Sequence, residues 1–549
     1  MKPSYFFKGI ALVLIILLMT ACGQNNTAMT DGGGNAASVG PLGRFDPPIT
    51  IISFRTDVSA AVHELLPDGD TLLNNPWSRA YYNELGIHLH YDWVVPLVQF
   101  DQRFGLAVAT GDLPDVFRVN NMIQLNMLLE RDLIMDLTDI FEEWATPLTK
   151  EIVHMDGGLA MRTATFDGRL MAIPETDSLT DAASMIWIRQ DWLDKLRLPR
   201  PRNMAELINT AEAFVHADIS GNGTYGIAFK GDLLSRGNAE AAGFMAGFHA
   251  YLDGWIQDGE GSLVFGSVQP EMRNAIASFA DMFKRGLINP NFGIMNTAMV
   301  SEDIAAGRIG ISFGRHWNAL SPLPRSKEDN AKANWVAIPL VSVDERQARS
   351  LLPNPVPSYF VVNRDAQHPE AAIMMINLWN DKFFNRPDLD HALYGGDLIH
   401  LPIFRTWTPT KNIDARIAVT AALESGDTSQ LDPEQLFYYR HIRAYLYGSD
   451  DTLGWSYYRV FGPEGSQWIL QDILDSGAYV FDEFFGPPTP TMVTRWAVLT
   501  DMKLDTFMRI ITGAAPIEEF DVFVESWFNL GGEQITAEVN EWFNMSLEG

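Results

Sequence analysis

The 549 residues carry 40 Lys and Arg against 69 Asp and Glu, a formal net charge of −29. That balance excludes a nucleic-acid partner, because a phosphate backbone needs a dense basic surface, and it excludes broad adhesion to anionic lipid. One cysteine excludes any intramolecular disulfide, and 47% hydrophobic with 20% charged residues describes ordinary globular material, long enough for two or more cores.

At the N-terminus Lys2 and Lys8 precede the apolar run Ile10–Met19, and the small residues Thr20 and Ala21 lead into Cys22. This is the form of a secretory signal, with an apolar run too short for a comfortable membrane span. Leu18-Met-Thr-Ala-Cys22 resembles the bacterial lipoprotein signal, which implies that 1–21 is a signal peptide and Cys22 the lipidated, palmitate-bearing N-terminus. The alternative is a plain signal with a chance cysteine. Residues 22–47 hold almost nothing to bury and read as a flexible tether. The protein is therefore expected outside the cell membrane, exported and touching the membrane only through its lipid anchor.

Ile49-Thr-Ile-Ile-Ser-Phe54 and His88-Leu-His-Tyr-Asp-Trp-Val94 read as strands around a helix over about 77–85, and strand, helix, strand suggests a parallel pair. His88 and His90 share one strand face but have no third metal ligand nearby. A helix over 99–109 ends at Thr110-Gly111, a short strand covers Pro114–Arg118, and another helix covers about 123–131. Thr165–Pro174 carries an Asp-Gly turn between apolar flanks, the mark of a hairpin. Met185–Arg189 reads as a strand. Met204, Leu207, Ile208, Ala211, Phe214 and Val215 fall at helical spacing behind a capping Asn203, and Met272, Ile276, Phe279 and Phe283 share a helix face. Strands follow at 309–313, 335–340 and 359–363. Residues 384–490 are irregular and rich in Tyr, Trp and Gly, whereas the last 60 read as helices.

Thr110-Gly-Asp-Leu-Pro-Asp-Val116, Trp187-Ile-Arg-Gln-Asp-Trp-Leu193, Gly286-Leu-Ile-Asn-Pro290, Glu302–Arg308, Phe360-Val-Val-Asn363 with His368-Pro-Glu-Ala371, and Gly486-Pro-Pro-Thr-Pro-Thr-Met492 together resemble the extracellular solute-binding lipoproteins of ABC importers, family 1, in their large oligosaccharide-binding subgroup. The resemblance spans nearly the whole mature chain. It implies an α/β, two-lobed periplasmic-binding-protein-like fold with a ligand cleft between the lobes and a helical C-terminal region. Lobe one is expected over 48–165 plus 330–383 and lobe two over 166–329 plus 384–549, with hinges near 165–175 and 331–335. It also implies a monomer that is not an enzyme, capturing an oligosaccharide or glycan fragment for an ABC permease by hinge closure. The same fold binding a peptide or another polar solute, and an extracellular carbohydrate-active hydrolase, are the alternatives.

Sugars offer hydroxyl arrays and flat apolar faces, so a sugar cleft needs aromatic platforms with polar groups at their edges. Where the family puts its cleft, at the C-terminal ends of strands, stand Arg118, Asn120 and Asn121, and Arg315 and Trp317. Trp317 is the leading candidate. Glu175 and Asp177 follow the expected hinge, Trp77 is expected to border the cleft from above, and Tyr359 and Trp455 complete the ligand-binding set, these last two with core packing as their ordinary reading. No cofactor is expected beyond a calcium ion in the loop Asp218-Ile-Ser220-Gly-Asn222-Gly-Thr224, where oxygen ligands alternate before a glycine. Against the ion, Phe229 stands where a calcium loop has glutamate. His-Glu-x-x-His and phosphate-loop patterns are absent, and paired carboxylates of a hydrolase cannot be told from chance among 69 acids.

Overall fold

The computed structural model of the protein describes residues 39–58, 60–178, 180–221, 223–353, 356–386, 394–448 and 452–548. The signal peptide of 1–21, Cys22 and Asn222 lie outside these residues. Ile49–Thr56 and Ile87–Val95 pair in parallel, as expected, with Pro76–Ala80 and Tyr81–Leu85 between them. Beside them runs an antiparallel sheet in the order Val116–Val119, Tyr359–Val362, Ile173–Pro174. Asp115 joins the two, its Oδ2 accepting from the Ile52 N–H at 2.8 Å. The expected hairpin is the pair Thr165–Phe166 and Arg169–Leu170, turned by Asp167 and Gly168, both at positive φ.

A second sheet has the order Trp335–Ile338, Met185–Arg189, Ile309–Gly314, Tyr225–Ala228. Met185–Arg189 and Ile309–Gly314 are buried at every position, the near-continuous apolar run of strands covered on both faces. Gly310 is required here, since a Cβ would lie 2.3 Å from the Phe214 ring. Phe214 comes from Met204–Ala217, whose N-terminus Asn203 caps by accepting from the Glu206 N–H at 2.9 Å. Met272, Ile276 and Phe279 of Pro270–Lys284 fill the same core. The stretch that resisted reading forms helices Lys411–Ser425, Pro433–Leu446, Thr452–Phe461 and Ser466–Ser476. The C-terminal region is helical as expected, with Pro490–Ile511, Glu519–Trp527 and Glu533–Glu548, and Trp527 stacks on Phe265 at 5.3 Å.

Each sheet therefore heads a half of its own, and the chain passes between them three times, at 175–184, 339–358 and 405–412. Three expected boundaries need correction. Trp335–Ile338 belongs to the second half, because it zips antiparallel onto Met185–Arg189 and closes that edge. Leu398 and Leu401 belong to the first, packed with Trp77 and Trp379, and the Trp379 indole donates to the Thr406 carbonyl at 2.9 Å. The tether ends earlier than 47: the Phe45 N–H donates to Leu85 O at 2.8 Å and Asn377 donates to Pro41 O at 2.9 Å. No helix of the described residues is long and apolar enough to cross a membrane.

Candidate functional site

The three crossings meet at Glu175. It directly follows the edge strand Ile173–Pro174, and its N–H donates to Ser358 O at 2.9 Å. Its Oε1 accepts from Arg405 Nε at 2.8 Å, its Oε2 lies 2.9 Å from the Arg118 guanidinium, and the Ser358 hydroxyl also donates to it. Burial alone would raise the Glu175 carboxyl, but Arg405, Arg118 and the Ser358 hydroxyl outweigh it and hold the group below the usual carboxylate range. Burial pulls Arg118 down, with Glu175 opposing. Further along, the Thr176 hydroxyl donates to Trp407 O at 2.8 Å and accepts from its N–H at 2.9 Å, while Ser178 donates to Pro409 O at 2.9 Å. The first and third crossings are thus laced together side by side.

Above this lacing opens a cleft of about 640 Å³, and Arg118, Glu175, Asp177, Asp181, Trp317, Arg405 and Trp407 are among its walls. Trp317 stands on the short turn His316–Ala319 after the strand Ile309–Gly314. It rests on Gly237, at φ 102°, where a Cβ would lie 2.9 Å from the ring. Trp407 is held edge-on by Trp379 at 4.9 Å, with Lys411 Nζ 5.0 Å from its ring centre. Asp181 Oδ2 accepts from Asn412 at 2.6 Å and lies 3.6 Å from His316 Nε2. Its Oδ1, like Arg118 Nε, is buried without a hydrogen-bond partner. Burial pushes His316 below its ordinary value, with Asp181 opposing, and its Nδ1 lies 2.9 Å from the Gln467 side-chain amide. Enclosure by the cleft walls, then the Asp181 carboxylate, pushes Asp177 up to about 7, although its side chain still reaches solvent in the open cleft. Aromatic faces, charged edges and unpartnered polar atoms together suit a ligand with flat apolar surfaces and a hydroxylated rim.

Of the sequence candidates, Arg118, Glu175, Asp177 and Trp317 come together here. The others do not line this cleft. Trp77 is a core residue, 1% exposed and packed against Trp379 at 5.1 Å and Phe383 at 6.0 Å. Tyr359 is equally buried, its hydroxyl donating to Thr163 at 3.0 Å, and Trp455 is buried with Lys327 Nζ 5.2 Å from its ring. Asn121 caps Met122–Leu129 by accepting from the Gln124 N–H, and the Asn120 N–H donates to the Gln124 side chain. Arg315 adjoins Trp317 but belongs to a neighbouring group of cations. Asp181, Arg405, Trp407 and Asn412 were not anticipated; the last three lie in the stretch without readable periodicity, where Arg405-Thr-Trp-Thr-Pro409 between apolar segments was the available signal.

The candidate calcium loop closes on itself. Asp218 Oδ1 accepts from the Thr224 N–H and hydroxyl, both at 3.0 Å, from the Gly223 N–H at 3.2 Å and from the Ser220 hydroxyl at 3.4 Å. The Thr224 N–H and these companions hold the carboxyl below its ordinary range. Among the described residues no group of three His, Cys, Asp or Glu is placed to hold a metal ion. One oxygen of the Asp218 carboxylate is thus taken up by its own loop, which lessens the fit to a cation cradle. A serine at nucleophile-elbow spacing, Gly310-Ile-Ser312-Phe-Gly314, is also without consequence: Ser312 lies inside a strand, 1% exposed, its hydroxyl directed at Phe313 O.

The family description "Bacterial extracellular solute-binding protein" matches residues 74–379. The chain is 27% identical over 233 residues to the fructooligosaccharide ABC transporter substrate-binding protein FusA of Streptococcus pneumoniae, covering 41% of each chain. It is 21% identical over 516 residues to the polygalacturonan/rhamnogalacturonan-binding protein YtcQ of Bacillus subtilis, covering 89% of this chain and 95% of that one. Among solved structures it is similar to an HMO-binding, ABC-transporter-associated solute-binding protein of Bifidobacterium longum infantis, at TM-score 0.62 and 15% identity over 90% of this chain and 99% of that one. An S. pneumoniae FusA EF-hand mutant bound to fructo-nystose reaches 0.60 at 14% identity over 91% and 100%. At these identities the structural likeness speaks for the two-lobed fold.

Proposed function

Because the chain belongs to the bacterial extracellular solute-binding protein family, we propose that it is the capture subunit of an ABC importer and that it holds an oligosaccharide or glycan fragment between its two halves. The observation that carries this reading is the cleft at the three crossings. Trp317 and Trp407 offer rings for the flat faces of sugars, and Arg118 Nε and Asp181 Oδ1 are a donor and an acceptor left for ligand hydroxyls. The ligands named for FusA and YtcQ support the same class.

On this reading lobe one is 41–174 with 359–404 and lobe two is 185–338 with 413–548, joined by the three crossings. They close about the crossings, and the ligand drives closure by binding the closed form better. The protein works as an exported monomer, anchored outside the membrane through Cys22, and passes its ligand to the permease uncut. The test is a thermal-shift screen of the mature chain against neutral and acidic oligosaccharides and short peptides, followed by chromatography of the recovered ligand. A rise with oligosaccharides that return intact supports the reading, since a ligand stabilises the state it binds. A response to peptides alone, or cleaved sugars, overturns it.

A further inference from the structure

Beside Trp317 lies a group of cations that the cleft does not use. Ile309–Gly314 and Tyr225–Ala228 are neighbouring parallel strands, with Ser312 opposite Ala228. Their C-terminal ends therefore deliver Arg315 and Lys230 to the same edge of the sheet, the edge at which open α/β sheets take ligands. The loop after Lys230 returns to the same place: Gly314 bridges Asn238, and the Arg315 N–H donates to Gly237 O at 2.9 Å. It carries Arg236 next to Gly237, the residue on which Trp317 rests.

None of the three cations has a carboxylate of the described residues within 4 Å. Lys230 is 4% exposed, and its Nζ makes one long hydrogen bond, 3.3 Å to Arg236 O. Arg236 donates to Leu252 O at 2.8 Å but its second terminal nitrogen is buried without a partner, as is Arg315 Nε. The nearest negative charge is buried Glu240, 1% exposed, which acts on Lys230 and Arg236 while its oxygens accept from the Ser184 hydroxyl and the Gly237 N–H; Asp232 acts on Lys230 from the exposed loop, and Asp253 is paired with Lys503. Three cations thus gather around one buried carboxylate with no direct ion pair, an excess of positive charge that a bound anion would offset. In a chain of net charge −29, an acidic ligand would be repelled except where cations gather locally.

We propose that Lys230, Arg236 and Arg315 form an anion subsite adjoining Trp317, so that the oligosaccharide this protein captures bears acidic groups, carboxylates of uronic-acid residues in the first instance. This rests on the oligosaccharide reading above and specifies its ligand. Arg236 and Arg315 are half-buried, and a guanidinium offers the paired donors that a carboxylate accepts.

The test is calorimetry of the mature chain with oligogalacturonides, their methyl esters, a sulfated oligosaccharide and a neutral fructo-oligosaccharide. The expected result is at least tenfold tighter binding of the acid than of its ester, with a margin that shrinks as salt is raised. Arg315→Gln, checked for an unchanged melting temperature without ligand, should remove most of that margin while leaving the affinity for the ester within twofold; Lys230→Met provides a second variant. Tighter binding of the sulfated sugar than of the uronide would keep the anion subsite and overturn the carboxylate assignment. Equal binding of acid and ester, or binding of the neutral sugar alone, overturns the inference while sparing the oligosaccharide reading. If no oligosaccharide binds, both fall.

Discussion

Replacing Glu175 by Gln should weaken the join between the two halves while keeping the side chain's shape. In the native protein this carboxylate is 3% exposed and receives Arg405 at 2.8 Å, Arg118 at 2.9 Å and the Ser358 hydroxyl. Removing one partner of a buried ion pair costs about 3–5 kcal/mol, because the remaining charge stays buried. Arg118 is one-third exposed and keeps water to screen it, whereas Arg405 is 13% exposed and has His400 Nδ1 as a second contact. The expected loss therefore sits at the low end, about 3 kcal/mol, read by urea unfolding followed by far-UV circular dichroism. The Glu175 pKa is depressed on folding, so its stabilisation is present above its unfolded value of 4.5 and is lost as pH falls through the lower folded value. The difference between the two proteins should accordingly narrow below about pH 4. Adding Arg118→Met should recover part of the loss. A loss under about 1 kcal/mol at pH 7 would refute the claim that this carboxylate ties the crossings.

Two tryptophans should separate core from cleft: Trp77→Ala should cost about 3–5 kcal/mol in urea unfolding with ligand affinity unchanged, and Trp317→Ala should weaken oligosaccharide binding at least tenfold with stability nearly preserved. For Asp177 the folded value, about 7, lies above the unfolded 3.8, so its contribution to stability is present below pH 4 and lost as pH rises toward 7. Asp177→Asn should flatten the melting-temperature profile across that window, and an unchanged slope would count against its enclosure between Asp181 and the cleft walls. Chelation by EGTA should leave the melting temperature where it was, whereas Asp218→Ala should lower it equally with and without calcium; a chelator-dependent fall would restore the ion to the 218–224 loop.

The strands that pair locally, the Asn203 cap and the Asp167-Gly168 turn were legible because each obeys a short-range rule of spacing or dihedral preference. Arg118, Glu175, Asp177 and Trp317 were reachable because strand ends and a chain crossing are positions a sequence can mark. Trp77 misled because an aromatic at the start of a helix looks the same whether it faces a cleft or Trp379. Trp335–Ile338 went to the wrong half because nothing in four apolar residues says which of two sheets has a free edge. The aromatic run after 430 was illegible for a further reason: Tyr438, Tyr457 and Phe461 stack across two helices, Tyr438 on Phe461 at 4.1 Å, so their spacing follows a helix–helix seam rather than a single face.

The middle strand of the first sheet, Tyr359–Val362, bonds to Val116–Val119, some 240 residues earlier in the chain. Closing such a loop costs about 5 kcal/mol of chain entropy before the strand pairing returns anything. All four strands of the other sheet, by contrast, fall within 185–338. As the polypeptide is made and emerges N-terminus first, the lobe that begins earliest is thus left with an open sheet until residue 362 has appeared, and its exposed strand edges need protection through that interval. The lobe encoded second completes its sheet first, and the order of synthesis and the order of assembly run in opposite directions.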